Sequence, residues 1–407
     1  MNRPRCLDTH PLRTVLVGAT LSLTPAVPAA AQRPVTLEEA LSAALHEAPR
    51  VAAAQADSSA EWAAIRTAAQ YPNPALALGY SESAPNYHLE LEQELEYPWV
   101  RGPRIQAARA AASAASLRVR IERARIRYDV VAAYAGAAAA RQIASLSARQ
   151  ATDGAELVRI ARERRAVGDA SDLDVDLSEV NAAQLRSMSL SDSLQSISSI
   201  LELQSAMGFP VDSVRILPVD TLPSAFRAPP DSALAVAAGE AERLAAFHHL
   251  AEQRRSRLPA PALRAGFEEG DPSGDEPGVL PTVGVAIPLP LFNNHGGAIA
   301  TARAEAARST ADLVQARREA ALAMALADRA WSLAQARLEA DRAALASAER
   351  VASLSLAGYR EGAYPLASVL EAQRSAREAE RRVLDDVSAV RTAQAALALA
   401  RLGGVRP

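Results

Sequence analysis

The sequence contains almost no cysteine and no lysine. Cys6 is the only cysteine among 407 residues, and it precedes an N-terminal cleavage site, so the mature chain would have no thiol. That excludes disulfides, thiol catalysis and cysteine-based metal sites. All 44 basic residues are arginine, which points to a GC-rich genome rather than to a function. The net charge of −3 does not indicate the excess of basic residues that is typical of nucleic-acid-binding proteins.

Aromatic residues and catalytic motifs are also scarce. Aromatic residues make up 4% of the chain, and alanine supplies much of the 49% hydrophobic content. Alanine-rich helices form readily but do not fill a broad globular core, so the composition favours a tube or bundle over a compact enzyme. There is no G-x-S-x-G, no H-E-x-x-H and no phosphate-binding loop. We therefore expect no catalytic site, no metal site and no cofactor.

The N-terminus has the layout of a secretory signal peptide. Positive residues precede an apolar segment at 15–27, which is too short for a stable membrane span, and an A-x-A cleavage site at 29–31 precedes Gln32. Because Cys6 lies before the apolar segment, it cannot be a lipoprotein acceptor after cleavage. The mature protein is therefore predicted to be exported without a lipid anchor.

Two long stretches lack proline, one between Pro103 and Pro210 and one between Pro290 and Pro365. Proline breaks helix interiors, so these stretches predict helices over 101–166 and 297–361. At about 1.5 Å per residue, each helix is roughly 100 Å long. The first shows the 4-3 spacing of a coiled-coil seam, carried by Leu117, Ile121, Ala124, Tyr128, Val131, Ala135 and Ala138.

Each long helix ends in a similar turn. Gly168 and Gly362 end the helices, because glycine enters the left-handed C-cap conformation at little cost, and Ser171 and Pro365 begin the next helices. The two turns match at a shift of 194 residues, which indicates an internal duplication. The tip residues are Val167, Gly168, Asp169 and Ser171 in the first turn, and Glu361, Gly362, Ala363 and Pro365 in the second.

A hairpin with a two-residue period precedes each long helix. In the first, an apolar row that includes Leu89 and Leu91 alternates with an acidic row, and in the second, apolar residues alternate at 263–267 and at 283–291. Four such strands cannot close a barrel, and lipid does not tolerate an open edge. The chain must therefore pair with strands of other copies, eight strands from two copies or twelve from three. The acidic row consists of Glu90, Glu92, Glu94 and Glu96.

These features divide the chain into five parts. We predict a signal peptide at 1–31, a first repeat (helix, hairpin, long helix, tip turn, helix) at 32–209, a linker at 210–230, a second repeat at 231–402 and a tail at 403–407. The predicted fold class is mainly α with a small β part, with long coiled-coil helices and four strands per chain.

Three features together resemble the TolC family of outer-membrane efflux proteins, in particular its CzcC/CusC-like branch. They are the duplicated tip turns, the Pro72-Asn73-Pro74 strand entry, and the segment 287–293 that leads into Gly297. The resemblance covers about residues 36–402. It implies a homotrimer with one twelve-stranded transmembrane β-barrel and a periplasmic α-helical barrel. It also implies outer-membrane lipid, a periplasmic adaptor (membrane fusion protein) and an inner-membrane RND-type pump as partners.

The function that this resemblance implies is that of a passive exit duct of a tripartite efflux system. It would lie in the cell outer membrane, with a large periplasmic part, and would export metal ions or small toxic compounds. A periplasmic coiled-coil adaptor or scaffold is the alternative, but the apolar rows of the strands argue against it. A periplasmic enzyme would need a site that the sequence lacks.

The resemblance also implies a closed gate where the helical tunnel narrows at the tip turns. Asp174 matches an acidic gate residue, Tyr359 matches a tyrosine that hydrogen-bonds it across helices, and Glu371 matches another acidic position. The chain departs from the best-studied branch at Tyr364, which replaces an arginine, and at Ser368, which replaces an aspartate, and this puts a salt-bridged gate in doubt. The predicted gate consists of Asp172, Asp174, Tyr359, Tyr364 and Glu371.

Three of these interpretations have a plainer alternative. Asp172 and Asp174 also suit the first turn of a helix, where acidic side chains complement the helix dipole. The glutamate row also suits a solvated strand face, whether or not it selects cations. Gly168 and Gly362 also suit simple helix ends, whether or not an adaptor docks against them tip to tip.

Overall fold

The computed structural model describes residues 33–82, 86–210, 216–219, 234–257, 259–269 and 278–403. The predicted signal peptide, residues 83–85 and 270–277, and most of the predicted linker and of the predicted tail lie outside these ranges. The first half contains β1 (Arg33–Val35), α1 (Leu37–Glu47), α2 (Pro49–Ala69), β2 (Ala75–Tyr80), β3 (Tyr87–Glu94), α3 (Pro98–Ala166) and α4 (Asp172–Ala206).

The second half repeats this order of helix, hairpin, long helix and shorter helix. After β4 (Ile216–Pro218) it contains α5 (Leu234–Arg255), β5 (Ala262–Glu269), β6 (Val279–Ala286), α6 (Gly296–Arg360) and α7 (Leu366–Arg401). None of the helices in the described part of the chain is long and apolar enough to cross a membrane. The predicted fold class, mainly helical with few strands, is confirmed.

Local chemistry explains the first helices. The Thr36 hydroxyl accepts a hydrogen bond from the Glu39 amide, and the Glu39 carboxylate accepts one from the Thr36 amide, which together form a capping box. Pro49 then separates α1 from α2, because it has no amide to donate and favours the first position of a new helix.

Helix α3 begins three residues earlier than predicted. Pro98 occupies its first turn, where a missing amide proton costs nothing, and Pro103 lies inside the helix. Because Pro103 cannot donate to the carbonyl of Trp99, that oxygen is left for another donor. The Arg255 guanidinium of α5 donates to it over 3.0 Å. A contact from the other half of the chain therefore satisfies the acceptor that Pro103 leaves open.

The four predicted strands form one antiparallel sheet in the order β2-β3-β5-β6. Its register pairs Leu78 with Leu89, Leu89 with Phe267, and Ala265 with Val283. Two strands end earlier than predicted: β3 ends at Glu94 and β6 ends at Ala286. Thus Leu95 and Tyr97, and also Ile287, Leu289 and Leu291, continue the apolar rows of the sequence but lie outside the ladder.

A second, two-stranded parallel sheet joins β1 to β4, although β4 lies within the predicted linker at 210–230. It packs on the middle of α3, where Tyr134 is fully buried and donates its hydroxyl to the Val35 carbonyl over 3.0 Å. Arg141 of α3 donates to the Pro218 carbonyl over 2.8 Å. Residues of β1, α1, α3, α4 and β4 form the largest apolar core here.

The four long helices lie side by side. Helix α6 packs on α7, α7 packs on α3, and α3 packs on α4. Helices α6 and α4 therefore occupy the two ends of the row. The turn that joins α3 to α4 and the turn that joins α6 to α7 lie side by side at the same end of the helix axes, where Arg164 contacts Tyr359.

Candidate functional site

The first tip turn (167–171) ends α3 in a Schellman motif. Gly168 has a φ of +85°, its amide donates to the Arg165 carbonyl over 3.0 Å, and the Asp169 amide donates to the Arg164 carbonyl over 2.8 Å. Ser171 and Asp174 then form a capping box for α4, with the Ser171 amide 3.0 Å from a carboxylate oxygen of Asp174. Ser171 is therefore the N-cap of α4, and Asp174 completes its capping box.

The second tip turn (361–365) repeats this backbone with different side chains. Gly362 has a φ of +77°, its amide donates to the Tyr359 carbonyl, and the Ala363 amide donates to the Gly358 carbonyl over 2.8 Å. Pro365 begins α7 without a polar side chain to cap it. The ring of Tyr364 lies on Gly358, where a Cβ would come within 2.2 Å of it, so this contact needs glycine at 358.

Tyr359 is the buried member of the predicted gate. Its side chain packs with Leu157, Leu366 and Val369, and its hydroxyl has no hydrogen-bond partner among the residues that the structure describes. The predicted hydrogen bond to Asp174 is therefore not formed within one chain. The carboxylate of Asp174 instead accepts from the amide and hydroxyl of Ser171.

Arg164 joins the two tip turns, which sequence reasoning missed. Its guanidinium donates to the Tyr359 carbonyl over 3.1 Å and to the Asp169 carbonyl over 3.4 Å, and it lies 4.6 Å from the centroid of the Tyr359 ring. Arginine near a helix C-terminus is itself a signal for carbonyl contacts, but its contact with α6 requires the tertiary structure.

The other predicted gate residues lie at the surface. Asp172 forms an ion pair with Arg165 across the first tip turn. Glu371 pairs with Arg374 of its own helix over 2.8 Å, and this hydrogen-bonded guanidinium lowers the pKa of the Glu371 carboxyl. The predicted docking residues are all exposed: Val167, Gly168, Asp169, Ser171, Glu361, Gly362, Ala363 and Pro365.

The acidic row of the first hairpin is shorter than predicted and contains a counter-charge. Glu90, Glu92 and Glu94 lie on one face of the sheet, but Glu96 follows the end of β3 and accepts a 2.9 Å hydrogen bond from Arg104 of α3. Arg264 of β5 lies among the glutamates of β3. The face thus carries both signs of charge.

The opposite face of the sheet is apolar and open. Every strand contributes large side chains to it, and the two outer strands each leave one edge unpaired in the described part of the chain. Such a face is unusual on a protein surrounded by water. Its exposed members include Leu76, Leu78, Tyr80, Tyr87, Leu89, Leu91, Leu263, Phe267, Val283 and Val285.

Exposed apolar rows also follow the two outermost helices. On α4 the row consists of Leu173, Leu177, Val180, Leu190, Leu194 and Ile197, and on α6 it consists of Leu322, Leu326, Leu333, Val351 and Leu354. Their spacing is compatible with heptad packing against another helix. In the described residues, no group of three or more histidine, aspartate or glutamate side chains is placed to hold a metal ion.

Three comparisons place the chain among known proteins. The family model described as "Outer membrane efflux protein" matches residues 231–404. The cobalt-zinc-cadmium resistance protein CzcC of Cupriavidus metallidurans is 25% identical over 398 residues, which cover 94% of this chain and 93% of CzcC.

Solved outer-membrane proteins share the fold at lower identity. The CmeC outer membrane channel of Campylobacter jejuni aligns with a TM-score of 0.77 at 13% identity, over 90% of this chain and 86% of CmeC. The outer membrane protein VceC of Vibrio cholerae aligns with a TM-score of 0.74 at 20% identity, over 90% of this chain and 96% of VceC.

Proposed function

The chain belongs to the TolC family of outer membrane efflux proteins, which are passive outer-membrane channels and not enzymes, and on this premise we propose that three copies form the exit duct of a tripartite efflux system. The observation that carries the proposal is the sheet with one exposed apolar face and one charged face. The apolar face suits contact with lipid, and the charged face suits a water-filled lumen.

Three copies would solve the problem of the unpaired strand edges. Each chain has four strands in one sheet, and an edge exposed to lipid leaves backbone groups without partners. A twelve-stranded barrel would pair every edge and leave room for a channel. The threefold rotation that relates the three copies would also bring α4 of one protomer against α6 of the next. Each of these helices has an exposed apolar row. This is a heterologous contact that closes a ring.

The tip turns are the proposed site of gating and of adaptor docking. Asp172, Asp174, Tyr359, Tyr364 and Glu371 would surround the narrow end of the tunnel. The eight exposed tip residues would meet a helical hairpin of a periplasmic adaptor, which in turn joins an inner-membrane RND-type pump. Support comes from the position of both turns at the end of helices roughly 100 Å long, far from the sheet.

Export and cargo complete the proposal. A cleaved signal peptide at 1–31 would deliver the chain to the periplasm, and no lipid anchor would be attached. The cargo would be metal ions or small toxic compounds, and the likeness to CzcC, a cobalt-zinc-cadmium resistance protein, favours divalent metal cations among these.

Purification in detergent followed by mass measurement and planar-bilayer recording tests this function. We expect a trimer that inserts into bilayers and conducts ions without nucleotide. A monomer that stays in water without detergent and gives no conductance would overturn the proposal.

A further inference from the structure

The charged face of the sheet has one arginine among its carboxylates. On the described strands, this face carries Glu90, Glu92 and Glu94 of β3 and Glu268 of β5, and Arg264 is its only arginine. His88 lies 3.6 Å from Glu268 at the far end of the row. The positive charge of Arg264 therefore offsets part of the negative charge of Glu90 and Glu92.

Arg264 contacts both of the glutamates nearest to it. The register places it directly opposite Glu92, with Nη2 2.9 Å from a carboxylate oxygen of Glu92 and Nε 3.3 Å from one of Glu90. Planar guanidinium groups can contact two acceptors at once in this way. The single side chain thus occupies the space between two carboxylates of the neighbouring strand.

Two glycines leave space around this contact. Gly266 lies opposite Glu90 and Gly284 lies opposite Arg264, so neither position places a side chain next to the ion pairs. At Gly266 a Cβ would come within 2.3 Å of the Leu89 carbonyl, which requires glycine there. The Arg264 side chain is free to lie toward β3 rather than toward β6.

These ion pairs contribute little to folding, because water reaches them. The side chains of Arg264, Glu90 and Glu92 are 44%, 40% and 38% exposed, and exposed pairs are worth at most about 1 kcal/mol. Their main effect is on the electrostatic potential of the face and on its ability to bind cations. A pore conducts well only when ions bind its wall weakly.

We propose that Arg264 is a resident counter-ion that keeps Glu90 and Glu92 from binding cations strongly and so limits the cation selectivity of the duct. The inference rests on the proposed function, because it takes the charged face to be the lumen. A divalent cation would otherwise find two carboxylates side by side on β3, and oxygen ligands of this kind suit calcium. The guanidinium already occupies that position.

The test compares ion selectivity of wild type and Arg264→Gln in planar bilayers. Under a potassium chloride gradient, we expect the potassium-over-chloride permeability ratio to rise by about twofold or more, because unbalanced carboxylates attract cations. Calcium chloride, added as a divalent probe, should block the variant at a concentration about tenfold lower. Arg264→Lys should stay close to wild type, since it keeps the charge.

Two controls make the outcome specific to Arg264. Arg308→Gln removes the same charge from α6, where Arg308 pairs with Asp312, and it should leave both readouts unchanged. The triple variant Arg264→Gln, Glu90→Gln, Glu92→Gln should lose the calcium block again. An Arg264→Gln channel with wild-type selectivity and calcium sensitivity would overturn the inference, whereas a wild-type protein without conductance would overturn the proposed function itself.

Discussion

Helices α3 and α6 are similar in length, 69 and 65 residues, yet they are buried very differently. Helix α3 has buried side chains along most of its length, whereas residues 328–358 of α6 are all half-buried or exposed. The reason is position, because α3 packs on α2, α4, α5 and α7, while α6 packs on α5 and α7. Two similar orders of elements thus contain one central helix and one edge helix, and the edge helix leaves an apolar row exposed in the described chain.

The largest expected effect is on this apolar row of α6. Leu333 is 70% exposed within one chain, but it would be buried between protomers. Leu333→Arg would place an unpaired charge in that contact, at a cost of several kcal/mol, so we expect monomers in detergent by mass measurement. Gln335→Arg adds the same charge on another side of α6 and should remain trimeric. A trimeric Leu333→Arg protein would show that this row faces elsewhere.

The next effect compares the two tip turns. A Cβ at Gly168 or Gly362 meets open space within the described chain. A large side chain at either position would therefore obstruct a docked partner protein rather than clash with this chain. Replacing both glycines with phenylalanine should abolish efflux in cells while the trimer stays in the membrane. Replacing both with alanine costs about 1 kcal/mol of backbone strain at each turn without the bulk, so most efflux should remain. Full efflux by the phenylalanine pair would mean that the adaptor is held along the tunnel wall instead.

A smaller effect is expected within the proposed gate. Tyr359→Phe removes a buried hydroxyl that lacks a partner among the described residues of one chain, and Asp174→Ala removes the third-position half of the capping box that begins α4. If the trimer supplies the missing partner, Tyr359→Phe should raise single-channel conductance. Asp174→Asn keeps an oxygen for capping and separates the gate effect from the cap effect. Unchanged conductance in all three variants would remove both residues from the gate.

The smallest effect concerns two ion pairs of α7, one with α6 through Asp386 and one with α4 through Arg381. Asp386 is 2% exposed, with one carboxylate oxygen 2.8 Å from Arg337 and the other without a partner in the described residues. Burial and the nearby Asp341 raise the pKa of the Asp386 carboxyl. Ionised Asp386 therefore weakens the fold at neutral pH, and this penalty falls as the pH drops through the raised pKa toward the unfolded value.

Asp386→Asn should consequently raise the thermal unfolding temperature at pH 7, by an amount worth about 1 kcal/mol. In the wild type, mild acidification should raise the unfolding temperature because Asp386 becomes protonated. Asp386→Asn should lack this contribution, which circular dichroism melts at several pH values can measure. Asp192→Asn is the matched change on the α4 side. It should lower the unfolding temperature, because Asp192 accepts two hydrogen bonds from Arg381, at 2.9 and 3.0 Å. Equal effects of the two variants would contradict this account.

The sequence predicted the features that depend on local chemistry. Proline and glycine mark the ends of the long helices, and a two-residue period marks the hairpins, so both were found, although Pro98 and Pro103 shifted the start of α3. Contacts between distant segments could not be predicted. The β1–β4 pair, and Arg264 beside Glu90 and Glu92, depend on the pairing of strands that lie far apart in the chain.

The central claim is that α4 of one protomer packs against α6 of the next, and cysteine cross-linking tests it most directly. Leu177 lies five residues after the start of α4, and Leu354 lies six residues before the end of α6, so both are at a similar distance from the tip turns. In a Cys6→Ser background, the double variant Leu177→Cys, Leu354→Cys should give a covalent trimer on oxidation, and each single variant should stay uncross-linked. Cross-linked dimers from a single variant, or an uncross-linked double variant in an intact trimer, would contradict the claim.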